Sequence, residues 1–273
     1  MSWLAVRVRA GADRGPVLAA LFDAGSAAVQ EEGDALVTHF PSGADVEGVR
    51  ARIARASPGA AVEVSPAADI DWSEAWKRGV GAHRLGGLTI APPWLAERYD
   101  PATTVVIDPG MGFGTGEHAT TRGVVRLMQR AVRPGDRVAD LGAGSAVLAI
   151  AAARLGAARV AAIEIDPDAV RDAEANVARN GVGDRVVVIE GDVRALLPLV
   201  APVRVIVANI ISSVLVELLP AMGDALTAGG EAILGGVLVA EREDVGGALD
   251  AGGWRVVEDD VEGAWWSARV ARP

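Results

Sequence analysis

The amino-acid sequence predicts a doubly wound α/β fold with a mostly parallel sheet, preceded by a small α+β domain. From Arg137 onward, buried strands alternate with helices: "RVADL" precedes "VLAIAAARLG", and "RVAAIEID" precedes "PDAVRDAEANVARNG". Such alternation is typical of a sheet built from βαβ units. The stretch "WRVVEDDVEGAWWSARV" has two extended segments around a turn, so we predict that an antiparallel hairpin ends the sheet.

The first 65 residues predict the element order βαββαβ. Apolar and polar residues alternate in "WLAVRVRA", which indicates a half-buried strand, whereas "GPVLAALFDAG" and "DVEGVRARIARAS" have the apolar spacing of helices. Two strands flank a turn at Gly33 and Asp34, and "GAAVEVSP" supplies the last strand. This order suggests a ferredoxin-like sandwich, a fold that by itself specifies no function.

We therefore divide the chain into a domain over residues 1–65, a connector over 66–102 and a larger domain over 103–273. The connector contains Trp72 and Trp76, whose i, i+4 spacing puts both rings on one helical face and predicts a packing anchor. Two short extended segments, "GGLTIAPPW" and "TTVVIDPG", lead from this helix to the larger domain.

Composition excludes several classes of site. The 273 residues include no cysteine, so disulfides, thiolate metal sites and a cysteine nucleophile are excluded. The three histidines and the carboxylates show no metal-ligand spacing, and we expect no metal site. A net charge of −10 argues against tight nucleic-acid binding, and no apolar run reaches the roughly 18 residues of a membrane span. Because the first residues also lack a signal-peptide pattern, we expect a cytoplasmic protein.

A glycine-rich turn follows the first strand of the larger domain. Gly142 and Gly144 in "DLGAGSA" would let the backbone approach a ligand closely, and Glu164, at the end of the next strand, is placed to accept from ribose hydroxyls. This combination predicts an adenosine-containing ligand. NAD and S-adenosylmethionine both qualify, but the run from Gly142 to Ala146 matches the methyltransferase spacing better than the GxGxxG of oxidoreductases.

Two further polar residues follow strands at the same predicted edge of the sheet, where ligands of open α/β sheets bind. Asp192, in "IEGDV", could accept from an adenine amine or could be a carboxylate in a solvated loop. Asn209 closes the fourth strand in "VANI". Methyltransferases that act on amines often have asparagine, two prolines and an aromatic residue here. This chain keeps only the asparagine, and we predict that Asn209 orients the amine that accepts the methyl group.

With these motifs, the glycine-alternating loop "DPGMGFGTGEHATT" at residues 108–121 resembles that of one family, the bacterial ribosomal protein L11 methyltransferases. The resemblance also rests on "DLGAGSAVLAIAAARLGA", "IEIDPDAV", "ANVARNGV", "VANI" and, in the connector, "DWSEAWK". It covers residue 69 to the end, whereas the first 65 residues match in element order more than in sequence. It implies a Rossmann-like methyltransferase fold with S-adenosylmethionine as cofactor.

The resemblance implies particular site residues. It implies contacts to the cofactor from Thr121, Gly142, Glu164 and Asn209. Two departures from the family are Ala146 and Glu164. Ala146 replaces a frequent glycine, which is expected to matter little if the helix start is not in tight contact. Glu164 replaces a more frequent aspartate while keeping both acceptor oxygens.

The glycine-alternating loop would lie over the methionine end of the cofactor. Gly114 and Thr115 would line the site there, and Phe113 would shield the sulfonium through a cation–π contact, which makes it a catalytic candidate beside Asn209. Thr120 and Thr121 would open a helix as hydroxyl caps. His118 is the one histidine that we consider for proton handling.

The function implied is a protein N-methyltransferase that modifies lysine side-chain and terminal amines of the basic ribosomal protein L11. Methyl transfer would be an in-line displacement by a neutral amine, and residues 1–65 would dock the substrate and swing on the connector. We expect a monomer. The alternatives are a methyltransferase for another protein lysine or a small amine, an NAD-dependent oxidoreductase, and a catalytically silent cofactor-binding module.

Overall fold

The computed structural model describes residues 3–9, 14–26, 29–66, 80–109 and 116–272. The chain divides into two compact units, Met1–Gly79 and Val80–Pro273. The predicted Trp72–Trp76 anchor lies outside the described residues. Within the described ranges, no helix combines the length and the apolar character that a membrane span requires.

The first unit is an antiparallel sheet with two helices. Its strands are ordered β2-β3-β1-β4, and all three pairings are antiparallel. The observed element order agrees with the sequence prediction. The elements are β1 (Trp3–Arg9), α1 (Gly15–Asp23), β2 (Gln30–Glu32), β3 (Ala35–Pro41), α2 (Val46–Ala56) and β4 (Ala61–Pro66).

Alternation along β1 determines which face of this sheet is buried. Val6 and Val8 are fully buried in one apolar cluster with Leu21 of α1 and Ile53 of α2. The start of α2 is fixed by Asp45, whose side chain accepts from the backbone N–H of Gly48 at 2.9 Å. Such a cap satisfies one of the amides left unpaired at a helix start.

The second unit contains the long sheet, ordered β10-β9-β8-β11-β12-β14-β13. The pairings from β10 to β12 are parallel, and β14 runs antiparallel to both β12 and β13. This confirms the predicted doubly wound, mostly parallel sheet and its terminal hairpin. The elements are β5 (His83–Leu85), β6 (Leu88–Ala91), α3 (Pro93–Ala96), β7 (Thr104–Val106), α4 (Ala119–Ala131), β8 (Arg137–Leu141), α5 (Val147–Arg154), β9 (Arg159–Glu164), α6 (Pro167–Arg179), β10 (Val186–Glu190), α7 (Val193–Val200), β11 (Val203–Asn209), α8 (Ser212–Ala225), β12 (Leu226–Leu238), α9 (Arg242–Ala251), β13 (Arg255–Glu262) and β14 (Trp265–Ala271).

Helices cover both faces of the long sheet. One core cluster joins α4, α5 and α6 to the sheet and includes the fully buried Met128 and Ile150. The other joins α7, α8 and α9 to the opposite face and includes Leu197, Leu249 and Trp266. Burial on both faces explains why the central strands β8, β9 and β11 are largely apolar runs without alternation.

The predicted connector, residues 66–102, is divided by the structure. Its C-terminal part forms β5, β6 and α3, and together with β7 these strands make a small three-stranded sheet. Leu85, Leu88 and Ile90 are buried in the same core cluster as α4 and α5. Residues 80–102 therefore belong to the second unit, and the predicted boundary at residue 103 is wrong. The cause is that these apolar side chains complete the core of that unit.

A row of ion pairs joins α4 to the edge strand β13. Arginines four residues apart on the helix meet carboxylates two residues apart on the strand. Four residues of helix rise about 6 Å and two residues of strand about 6.6 Å, so the two spacings match. The pairs are Arg122 with Glu262, Arg126 with Asp260 and Glu262, and Arg130 with Glu258.

Arg126 is the central member of this row, and its replacement tests whether the row stabilises the fold. Its guanidinium donates to both oxygens of Asp260, at 2.8 and 2.6 Å, and to Glu262 at 2.8 Å. Arg126→Ala leaves the partly buried Asp260 without its ion-pair partner and Glu262 with Arg122 alone, so we expect the free energy of unfolding in urea to fall by about 1–3 kcal/mol. Arg171→Ala, which removes an exposed i, i+3 pair with Asp168, is the control and should cost at most about 0.5 kcal/mol. Equal losses of unfolding free energy in the two variants would contradict a stabilising role for the row of ion pairs.

Candidate functional site

The carboxyl ends of the parallel strands lie in one row. Leu141, the last residue of β8, pairs with Ile163 of β9 and with Ala208 of β11. The next positions along these three strands are Gly142, Glu164 and Asn209, three of the predicted site residues. On the outer sides, Glu164 pairs with Glu190 of β10 and Asn209 pairs with Gly235 of β12.

A cleft of about 600 Å³ opens along this row. Its volume is within the range of small-ligand sites, roughly 300–1,000 Å³. Five of the predicted cofactor-binding residues line it: Gly142, Gly144, Glu164, Asp192 and Asn209. The structure therefore brings these five together, and their individual roles stay predictions.

The turn after β8 depends on glycine. Gly142 and Gly144 have φ angles of 70° and 52°, in the left-handed region that favours glycine. A Cβ atom on Gly142 would also lie 2.6 Å from Cγ2 of Ile210, the residue after Asn209. The turn therefore needs glycine both for its backbone conformation and for its close approach to the end of β11.

Ala146 corrects an expectation from the sequence. It is fully buried and has a φ of 63°, the only left-handed non-glycine conformation in the described part of the chain. For a residue with a Cβ atom this conformation costs about 1–2 kcal/mol. Replacing the family's usual glycine was expected to matter little if the helix start is not in tight contact, and the fully buried Ala146 does not meet that condition. The structure shows that it puts strain into the start of α5.

The Glu164 carboxylate holds the glycine turn against the end of β9. Oε2 accepts from the backbone N–H of Gly144 at 2.8 Å, and Oε1 accepts from the N–H groups of Ile165 and Asp166 at 2.8 and 3.0 Å. Three amide donors to one carboxylate fix its position. The extra methylene of glutamate is used here, because it lets the carboxylate span from β9 to the turn.

Asp140 lies beneath the turn and is fully buried. Its Oδ2 accepts from the backbone N–H of Ala149 at 2.9 Å, while Oδ1 has no hydrogen-bond partner among the described residues. Burial raises the pKa of Asp140 to about 7, although the Ala149 amide lowers it; the nearby charge of Glu164 raises it further. A carboxyl group with this pKa can hold a proton near neutral pH.

Asn209 lines the cleft and carries an unpaired acceptor atom. Its Oδ1 is buried and has no hydrogen-bond partner among the described residues, whereas its Nδ2 donates to Thr121 Oγ1 at 3.4 Å. Thr121 is itself fully buried on α4. In this structure Thr121 therefore supports Asn209, and the direct cofactor contact implied for Thr121 stays a prediction.

Two glycines that the sequence did not reveal as site residues lie beside Asn209 and Ile210. A Cβ on Gly235 would lie 2.9 Å from Asn209 Oδ1 and 2.5 Å from Val124 Cγ2. Gly236 has a φ of 77°, and a Cβ there would overlap the Ile210 carbonyl. The Gly-Gly pair in "EAILGGVL" thus makes room for the end of β11. In the sequence, only the Gly-Gly dipeptide itself could have indicated this role. The role can be recognised only when the register between β11 and β12 is known.

Asp192 has a structural role in addition to its place in the cleft. It is the N-cap of α7, and its side chain accepts from the backbone N–H of Arg194 at 2.8 Å. One carboxylate oxygen has capacity left for a ligand donor. Both interpretations offered by the sequence are therefore compatible with its position.

His118, rather than Thr120 or Thr121, is the N-cap of α4. Its Nδ1 accepts from the backbone N–H of Thr120 at 3.4 Å and lies 2.8 Å from the Thr120 hydroxyl. The ring also meets Trp265 edge-on, with 4.7 Å between the ring centroids. Burial and, secondarily, the charge of Arg122 lower the pKa of His118, so that the neutral ring keeps a lone pair for capping. The predicted threonine caps are wrong because both threonines are buried in the first turn.

The remaining predicted site residues, Phe113, Gly114 and Thr115, lie outside the described residues. No group of three or more histidine or acidic side chains within the described ranges is arranged to hold a metal ion.

A second cavity lies at the opposite, amino edge of the long sheet. It has a volume of about 580 Å³ and is lined at the starts of three strands by Arg137, Arg159 and Arg185. Each of these guanidinium groups donates to a backbone carbonyl, at 3.1, 2.9 and 2.7 Å respectively. None of the predicted site residues lies there, so the cleft at the carboxyl edge is the candidate functional site.

Comparison with known proteins connects this geometry to one family. The sequence profile described as ribosomal protein L11 methyltransferase matches residues 19–273. The ribosomal protein L11 methyltransferase of Pelotomaculum thermopropionicum is 42% identical over 224 residues, which are 81% of this chain and 72% of that protein. The one from Thermus thermophilus is 37% identical over 253 residues, which are 92% of each chain.

A solved structure has a similar fold. The crystal structure of ribosomal protein L11 methylase from Lactobacillus delbrueckii subsp. bulgaricus aligns with a TM-score of 0.63 and 31% sequence identity, over 70% of this chain and 98% of that one. The chain thus has the α/β methyltransferase fold, with its mostly parallel sheet. From the profile match and these identities, we conclude that the chain belongs to the ribosomal protein L11 methyltransferase family.

Proposed function

We propose that this chain transfers methyl groups from S-adenosylmethionine to lysine side-chain and terminal amines of ribosomal protein L11. As a member of its family the chain is an S-adenosylmethionine-dependent methyltransferase, and its relatives are named for that ribosomal protein. The observation that carries the proposal is the acceptor Asn209 Oδ1. It is buried, unpaired among the described residues and adjacent to the glycine turn.

The residues of the cleft fit the cofactor. Gly142 and Gly144 line the cleft without side chains, and Glu164 and Asp192 offer carboxylate oxygens for ribose hydroxyls and an adenine amine. When bound, S-adenosylmethionine supplies an electrophilic methyl group. The chain's part is to hold that group and the amine in line, which accounts for much of the rate in such reactions.

Asn209 would orient the amine nitrogen. A lysine amine has a pKa near ~10.4 and is mostly protonated at neutral pH, so the site must favour the neutral form. A buried cleft disfavours the charged form, and an amide oxygen accepts one N–H of the neutral amine, which aims its lone pair away from Asn209. The same oxygen stabilises the positive charge that develops on nitrogen as the bond forms.

The first unit is proposed to be a ferredoxin-like domain that docks the protein substrate. Its element order and its antiparallel strand order β2-β3-β1-β4 support the fold. We also propose that the substrate is the ribosomal protein without its RNA, because a chain of net charge −10 is repelled by a phosphate backbone.

Mass spectrometry of purified ribosomal protein L11, after incubation with the full chain and S-adenosylmethionine, tests the proposal. We expect mass increments of whole methyl groups on lysine or terminal amines. Free lysine and a small alkylamine in parallel reactions test the other substrate classes. Methylation of these small amines, with none on the ribosomal protein, would contradict the proposal.

Replacing Glu164 tests the cofactor site. Glu164→Ala removes charge-assisted hydrogen bonds worth roughly 1.5–3 kcal/mol, so we expect S-adenosylmethionine affinity, measured by calorimetry, to fall about 10- to 150-fold. Glu190→Ala is the matched control. Glu190 is the last residue of the neighbouring strand β10 and lies opposite Glu164 in the strand register, but it does not line the cleft. An affinity unchanged in both variants would exclude Glu164 as a ligand residue.

Replacing Asn209 separates catalysis from cofactor binding. Asn209→Ala removes the acceptor for the amine, so single-turnover methyl transfer at saturating cofactor should slow about 10- to 150-fold while cofactor affinity changes much less. Asn209→Asp keeps an oxygen acceptor at this position and should recover part of the rate. Near-normal turnover of the alanine variant, with an unchanged thermal melt, would show that Asn209 does not orient the amine.

Removing the first unit tests whether this unit docks the substrate while the second unit binds the cofactor. A fragment of residues 80–273 keeps both core clusters of the second unit, so we expect it to fold and to bind S-adenosylmethionine with the affinity of the full chain. It should methylate intact ribosomal protein L11 far more slowly. Full activity of the fragment on that substrate would show that the first unit does not dock it.

A further inference from the structure

We propose that Ile211, Leu238 and Val239 form an apolar lip that receives the aliphatic stem of a lysine side chain from a basic protein segment. The proposal rests on the proposed function and adds to it the surface of the second unit that takes the substrate. The occupant is a lysine presented by a protein, not a free small amine.

The lip lies just beyond the row of strand ends. Asn209 is paired with Gly235 in neighbouring parallel strands, and Ile211 lies two residues beyond this end of β11. Leu238 lies three residues beyond Gly235 and is the last residue of β12, where it is still paired with β14. Ile211 also lines the cleft with Asn209. Ile211 thus belongs both to the lip and to the wall of the cleft that contains Asn209.

Three apolar side chains are exposed together at this place. Ile211 is 65% exposed, Val239 41% and Leu238 37%. Single exposed apolar residues are common on protein surfaces, but a cluster at the mouth of a site marks contact with a partner.

Hydrogen bonds hold the lip in one conformation. The carboxylate of Glu241 accepts from the Ser212 hydroxyl and from the backbone N–H of Leu238, both at 2.9 Å. The backbone N–H of Val239 donates to the carbonyl of Ala264 at 2.8 Å. Glu241 thereby joins the end of β12 to the start of α8, so the apolar residues are held exposed by the surrounding structure. A surface fixed in this way loses little entropy when a partner binds.

The charge next to the lip suits a basic occupant. Glu243 and Asp244 lie in the first turn of α9, are exposed, and form no ion pair with another described residue. A lysine side chain combines a methylene stem, which lies along apolar surface, with a charged end. Neighbouring lysines or arginines of a basic segment would find these two carboxylates beside the lip, so both parts of the surface match one ligand chemistry.

The test compares KM for ribosomal protein L11 among variants of the full chain. The double variant Leu238→Ser, Val239→Ser should raise KM about ten-fold, with S-adenosylmethionine affinity unchanged. The control is Val187→Ser, Leu199→Ser, which removes side chains 53% and 78% exposed at the amino-edge cavity and should leave KM unchanged. The charge variant Glu243→Gln, Asp244→Asn should raise KM at low salt and lose that effect at high salt.

The outcomes are distinguishable. A KM equal to that of the wild type in both the lip variant and the charge variant overturns the lip while the proposed function stands. No methylation of the ribosomal protein by the wild-type chain overturns both. If a thermal melt shows that the lip variant is unfolded, the exposed charge variant decides: a salt-dependent rise in KM supports the surface, and its absence overturns it.

Discussion

The site depends on one constraint: parallel strands in register end at a common edge. Because Leu141 pairs with both Ile163 and Ala208, the residues that follow, Gly142, Glu164 and Asn209, become neighbours although they are far apart in the chain. Only a parallel arrangement collects the carboxyl ends of successive strands in this way. The glycine turn, the carboxylate and the amide therefore form one cleft as a consequence of strand register.

The close approach of neighbouring backbone segments then determines which polar groups at the strand ends can bind a ligand. Gly142 and Gly235 flank the Asn209–Ile210 segment, and a Cβ on either glycine would collide with it. Packed between them, Asn209 keeps a buried Oδ1 without a donor among the described residues, an arrangement that costs stability and is therefore expected at a functional position. Glu164, by contrast, is held by three amides, which gives the cleft one fixed carboxylate beside one unpaired amide oxygen.

Local patterns in the sequence were sufficient for the sheet, the glycine turn, and the placement of Glu164 and Asn209 at strand ends. They could not reveal contacts that require the register of distant elements. Gly235 gains its meaning from pairing with Asn209, and the arginines of α4 gain theirs from a strand more than a hundred residues later. The conformation of Ala146 and the capping by His118 were not predicted from the sequence for another reason. Backbone angles at a turn are set by packing, which residue types alone do not specify.

Hydrogen–deuterium exchange of the full chain, with and without S-adenosylmethionine, tests the central claim most directly. If the row of strand ends is the cofactor site, the amides that donate to Glu164 there, those of Gly144, Ile165 and Asp166, will exchange more slowly with the cofactor present. Exchange at the starts of β8, β9 and β10, beside the second cavity, will not change. Slower exchange at that amino edge alone, or none at the carboxyl edge, would contradict the account.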